Sequence, residues 1–96
     1  AVHHLTRIMA KRLVGENILV NAIAPGPYES MMLGAAVNHD YSHIESRNPR
    51  KRIGSPEDMA GLVIFLCSRA GAYTVGAIIP SDGGLVGTAG HDLSQS

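Results

Sequence analysis

The residues with chemistry to offer fall in a few short stretches. Pro25-Gly26 close the apolar run Ile18 to Ala24, and open α/β sheets bind ligands at the ends of such strands. Gly26 lets backbone approach a flat ring closely, although plain strand termination also explains the pair. Met31, Met32, Leu33 and Val37 form an apolar group. Methionine adapts its shape, so the group suits a flexible acyl ligand; it suits packing of a small helix equally well. His39 and His43 stand at i, i+4 spacing with Asp40 and Glu45 nearby, a ligand pattern only if the segment is helical. The segment is not patterned as a helix, and no metal is assigned. His3 and His4 are adjacent, so they face different ways on a helix and do not clamp one ion.

Arg47, Arg50, Lys51 and Arg52 are the one local charge excess. A solvated rim is the plain reading, and a docking patch for an acidic carrier protein or a phosphopantetheine arm is the functional one. Cys67 sits inside an apolar run and is expected to be buried and inert. Asp82-Gly83-Gly84 reads as a turn after a strand.

Composition narrows the function classes. The 96 residues carry eight Lys+Arg and eight Asp+Glu, for a formal net charge of +0. A neutral chain has no strong pull towards phosphate backbones, so nucleic acid is not an expected partner. One Phe, three Tyr and no Trp are too few rings for a stacking platform. A single cysteine excludes an internal disulfide framework and a cysteine-based zinc finger. It fits a reducing, cytoplasmic setting. The longest apolar run, Leu62 to Cys67, is far too short to span a membrane. The chain opens directly into a helical pattern without Met or a capping residue, as expected of an incomplete chain.

The elements that must position these residues follow from periodicity. Ala1, Leu5, Ile8, Met9 and Leu13 predict an amphipathic helix over 1–14, with Lys11 and Arg12 suited to its negative end and Gly15 as a left-handed stop. Residues 18–24 predict a strand buried on both faces of a parallel sheet. Residues 28–54 are mostly irregular, of the length of a lid or binding loop. Met31 to Val37 suit a short helix, and Ser42 to Glu45 suit another opened by a capping box. Ser55 as N-cap, Pro56 at N1 and Glu57-Asp58 in the first turn predict a helix over 55–70, ended by Gly71. Ala77 to Ile79 predict a second strand, placed at a sheet edge by Pro80. Gly87 to Ser96 form a polar tail. The order, helix–strand–lid–helix–edge strand, matches the C-terminal third of a doubly wound, Rossmann-like α/β domain with a parallel sheet.

Four stretches in that order resemble the classical short-chain dehydrogenase/reductase family. Ala1 to Leu13 is similar to the helix after the family's Tyr-x-x-x-Lys. Ile18 to Gly26, with Val20-Asn21 and Pro25-Gly26, is similar to its sixth strand and cofactor turn. Arg52 to Ala60 is similar to the start of its last long helix, and Tyr73 to Gly84 to its final strand. Among its branches the chain looks most like β-ketoacyl carrier-protein reductases, including the rhamnolipid-biosynthesis type.

The resemblance implies the C-terminal part of such a domain over 1–86, with 28–54 as substrate lid and 87–96 as tail. It implies an NADP- or NAD-dependent oxidoreductase that reduces a ketone or 3-oxoacyl group, small or carrier-linked, to an alcohol. No catalytic residue is expected in this chain: the family's Tyr and Lys belong just before Ala1, its Ser and glycine-rich turn further upstream. Pro25, Gly26, Tyr28 and Ser30 match the nicotinamide side of the cofactor site. The backbone at the Tyr28 position recognises the carboxamide, and the Ser30 hydroxyl stands where the family has Thr. Pro27 and Tyr28 depart from the pattern. Met31, Met32, Leu33 and Val37 fall on the lid. A homo-oligomer is implied through the first helix and the last helix and strand. A non-catalytic binding or oligomerisation module derived from this fold is the alternative.

Overall fold

The computed structural model describes residues 1–91; of the expected tail, 92–96 lie outside the described residues. In chain order it contains α1 (Val2–Leu13), a 3-10 turn (Val14–Glu16), β1 (Ala22–Pro25), α2 (Met31–Ala36), α3 (Ser42–Arg47), α4 (Pro56–Cys67), a second 3-10 turn (Arg69–Gly71) and β2 (Ile78–Ser81). The two strands pair as one sheet. Ala22 N–H donates to Ala77 O at 2.9 Å and Gly26 N–H donates to Ser81 O at 3.0 Å. The two positions advance together along the chain, so the pairing is parallel, as expected. The chain divides into two units: Ala1–Ala24 with Glu57–Ile79, and Pro25–Pro56 with the residues from Pro80 onwards.

In the first unit, α1 runs where the apolar spacing predicts it, with Lys11 and Arg12 in its last turn. Its left-handed stop is Asn17, with φ 61, rather than Gly15. The 3-10 turn carries helical backbone through Gly15, and asparagine tolerates the reversal because its short polar side chain serves the local backbone. Ala10 is 2% exposed and lies against Gly76, whereas Leu5, Ile8 and Met9 remain exposed. The strand begins later than its apolar run: Ile18 to Asn21 precede β1. Asn21 replaces ladder bonds there. Its Nδ2 donates to Thr74 O at 2.9 Å, and its Oδ1 accepts from Ala77 N–H at 2.9 Å.

The last long helix begins at Pro56 as predicted but ends at Cys67, short of Gly71. Gly71 has no left-handed backbone. It is buried because its missing side chain lets it close on the Phe65 and Leu66 carbonyls. No residue of α4 is buried. Cys67 is exposed and free, which corrects the expectation of a buried thiol. A helix apolar around most of its circumference needs more cover than two short strands supply.

In the second unit, β2 ends on Pro80-Ser81 and turns at Asp82, whose Oδ1 accepts from Gly84 N–H at 2.9 Å and Oδ2 from Val86 N–H at 3.2 Å. Asn48 is 2% exposed. Its Nδ2 donates to Asp82 O at 2.9 Å and its Oδ1 accepts from Arg50 N–H at 2.9 Å. Asn48, the C-cap of α3, therefore ties the end of that helix to the Asp82 turn. Ser42 does not cap α3. Asp40 does so from outside, its Oδ1 accepting from Ser42 Oγ–H at 2.6 Å and Ser42 N–H at 3.1 Å. A carboxylate two residues upstream outcompetes the hydroxyl because it accepts both donors at once.

These donors, the Ser42 hydroxyl first and its amide second, hold the Asp40 carboxyl below its ordinary value of 3.8. The folded value is depressed, so the contribution to stability is present above the unfolded pKa and lost as pH falls through the folded one. Carboxyl NMR titration of Asp40 should give a midpoint under 3.8, moving upwards in Ser42→Ala. A second expectation concerns Asn48→Ala, which strips the half-buried Asp82 carbonyl of its side-chain donor. Urea denaturation should show a loss of about 1–3 kcal/mol.

Candidate nicotinamide-side site

Pro25 ends β1, and Gly26 is fixed by its bond to Ser81 O. A Cβ on Gly26 would lie 2.6 Å from Asp82 Cβ and 2.8 Å from its Cα. The space freed by this glycine is thus taken by the turn after β2 rather than by a ring. Beyond it, Tyr28 forms an isolated parallel bridge with Gly54. Gly54 N–H donates to Pro27 O at 2.9 Å, and Glu29 N–H donates to Gly54 O at 2.8 Å. In such a bridge Gly54 uses both its own backbone groups, while the N–H and C=O of Tyr28 turn to the opposite side. One donor and one acceptor therefore stand side by side just past the C-terminal end of β1.

The side chain of Tyr28 locks this arrangement. Its hydroxyl is hydrogen-bonded to Ser81 Oγ. Its ring lies over Gly54, where a Cβ would come within 2.5–2.7 Å of Cε2, Cζ and Cδ2. Tyrosine is accommodated here because position 54 has no side chain. Ser30 caps α2, its Oγ accepting from Leu33 N–H at 3.0 Å. Its own hydroxyl proton remains a donor.

Met31, Met32, Leu33 and Val37 separate in the structure. Met31 and Met32 are 90% and 86% exposed, whereas Leu33 and Val37 are half-buried. Packing of α2 accounts for the second pair and not for the methionines. His39 and His43 share no helical face: His39 lies in a turn with φ 59, and only His43 is in α3. His39 and Tyr41 instead lie against Gly34. Among the described residues there is no group of three or more His, Cys, Asp or Glu placed to hold a metal. No described helix is long and apolar enough to cross a membrane.

Sequence reasoning missed Gly54, Ser81 and Asp82 as parts of this site. Gly54 was visible only as one residue of the Arg52-to-Ala60 stretch, and the Asp82 turn only as strand termination. Neither signal says that the two come to the same backbone.

Comparison with known proteins identifies the family. A family model described as Enoyl-(Acyl carrier protein) reductase matches residues 1–86. A rhamnolipids-biosynthesis 3-oxoacyl-[acyl-carrier-protein] reductase of Pseudomonas aeruginosa is 48% identical over 87 residues, 88% of this chain and 34% of that protein. A 3-oxoacyl-[acyl-carrier-protein] reductase of Thermotoga maritima is 42% identical over 82 residues, 85% of this chain and 33% of the relative. Among solved structures, an active-site complex of Pseudomonas aeruginosa RhlG with NADP superposes with a TM-score of 0.80 at 46% identity, over 88% of this chain and 35% of that one. A short-chain type dehydrogenase/reductase from Mycobacterium marinum gives 0.77 at 36% identity, over 88% and 33%. The chain belongs to the short-chain dehydrogenase/reductase family, and its α/β fold with a parallel sheet is that of the family's Rossmann domains. It spans about a third of the length of the relatives it matches.

Gly54→Ala should drive a methyl group into the Tyr28 ring. We expect a stability loss of about 1–3 kcal/mol from overpacking, read as a lower urea midpoint. An unchanged midpoint would mean that the ring does not rest on this glycine.

Proposed function

We propose that the chain is the nicotinamide-side part of an NADP-dependent reductase that converts a 3-oxoacyl group to its alcohol. The observation that carries this reading is the backbone pair at Tyr28, turned away from Gly54 by the bridge. A carboxamide offers one acceptor and one donor, the complement of that pair, so the residues fit a nicotinamide. NADP is favoured over NAD because the RhlG relative is described in complex with NADP.

When bound, the nicotinamide supplies a hydride for the substrate's carbonyl carbon. The chain's own residues do the rest on this side. Tyr28 backbone orients the carboxamide. Pro25 and Gly26 set the path of the turn, and the Ser30 hydroxyl donates to the carboxamide or a phosphate. Met31 and Met32, exposed on α2, with Leu33 and Val37 beside them, cover an apolar acyl chain as part of the lid over 28–54. The proton for the carbonyl oxygen comes from a Tyr-x-x-x-Lys tyrosine encoded ahead of Ala1, its pKa lowered by the lysine. The 96 residues alone are inactive. Residues 1–86 then form the C-terminal part of the domain and 87–96 its tail, and the exposed apolar positions of α1 and α4 suit packing against the rest of the domain and a second subunit. The free Cys67 fits a reducing, cytoplasmic compartment.

The decisive experiment reads the coding sequence upstream of the Ala1 codon. We expect Tyr-x-x-x-Lys ending at that boundary, and a stop or start codon there would overturn the reading. Nicotinamide fluorescence titration of the 96-residue chain should show little binding. In the polypeptide as its gene encodes it, Tyr28→Phe should change the KM for NADPH less than about threefold, since recognition is by backbone.

A further inference from the structure

Three consecutive residues at the end of β2 hold both ends of the segment 26–54. Ser81 takes the opening end. Its carbonyl accepts from Gly26 N–H at 3.0 Å, and its hydroxyl is hydrogen-bonded to that of Tyr28. Asp82 and Gly83 take the closing end. Asp82 O accepts from Asn48 Nδ2–H at 2.9 Å, and Gly83 O accepts from Arg50 N–H at 3.0 Å. The turn that carries these acceptors is stiffened by the Asp82 carboxylate, which accepts from Gly84 and Val86 N–H.

Asn48 pins the closing end. It is 2% exposed, and both polar atoms of its side chain are bonded, Nδ2 to Asp82 O and Oδ1 to Arg50 N–H. A buried amide is costly to leave unpaired, so these two bonds select one register between the end of α3 and the turn. Gly83 clears the seat. Its φ is 69, and a Cβ there would run into Asn48 Oδ1.

The two ends are held independently. The Tyr28 backbone is set by Gly54, whose N–H donates to Pro27 O and whose carbonyl accepts from Glu29 N–H, and by the neighbouring Gly26–Ser81 bond. None of these bonds runs through Asn48. Between the ends the caps of α2 and α3 are local, Ser30 to Leu33 and Asp40 to Ser42. Removing the Asn48 amide therefore loosens α3 from the turn and leaves the Tyr28 backbone in place.

We propose that Asn48 is a positioning residue: it holds α3 on the Asp82 turn, in the place from which the segment 28–54 covers the acyl chain. It acts through α3 and not by contact with substrate. The role rests on the function proposed above. A segment already ordered avoids the entropy cost that a loose one meets on binding its ligand, so Asn48 governs acyl binding rather than the hydride step.

The test takes the gene-encoded polypeptide and two readouts. In steady-state assays Asn48→Ala should raise KM for a 3-oxoacyl thioester about fivefold or more, with kcat and the KM for NADPH changed less than about twofold. In hydrogen exchange, the amides of 31–47 should open faster in that variant, while those of 22–28 keep their protection. Gly83→Ala should reproduce both effects with the asparagine still present. It should add little to the KM of Asn48→Ala, because the group it displaces is gone. That variant keeps the test decisive if Asn48→Ala does not fold. Equal rises in the two KM values, an unchanged KM for the thioester, or exchange that quickens alike along the whole chain overturns the proposal. No reduction of the thioester by the unaltered protein overturns the reductase reading instead, and the exchange pattern then decides whether Asn48 pins the segment.

Discussion

The parallel pairing of β1 with β2 is the constraint on which the other features depend. Parallel strands need a crossover, and this one runs through α2, α3 and α4 before β2 returns beside β1. The pairing begins with Asn21 standing in for missing ladder bonds and closes with Gly26 seated against Asp82. Both ends use a side-chain property, an amide with a donor and an acceptor in one case and no side chain in the other. Changing either residue type removes the means of registering the strands.

The segment 28–54 is organised by polar clamps rather than by an apolar core. Ser30 caps α2, Asp40 caps α3, and Asn48 ties the end of α3 to the Asp82 turn. Helices of one or two turns gain too little from burial to hold themselves, so each is fixed at its ends. This leaves Met31 and Met32 uncovered.

Much of the fold was legible in the sequence. The helix over 1–14, the Ser55-Pro56 start of α4 and the second strand near Ile78 follow from periodicity and capping chemistry, which are local. The errors share a cause. Gly15, Gly71 and Ser42 were assigned the local roles their types favour, whereas Asn17 reverses the chain, Gly71 fills a tight contact with Phe65 O, and Asp40 caps α3. Cys67 was placed inside by its apolar neighbours, but exposure depends on what covers a helix.

By itself the sequence determined the order of elements and the family, because these rest on residue types at fixed spacing. Tertiary structure alone decided that Gly26 makes room for Asp82, that Gly54 makes room for the Tyr28 ring, and that the backbone N–H and C=O of Tyr28 turn away from Gly54. These depend on segments far apart in the chain meeting across the sheet end. No periodicity or capping signal records such a meeting, since a glycine looks the same in sequence whether it serves a turn, a ligand or another strand.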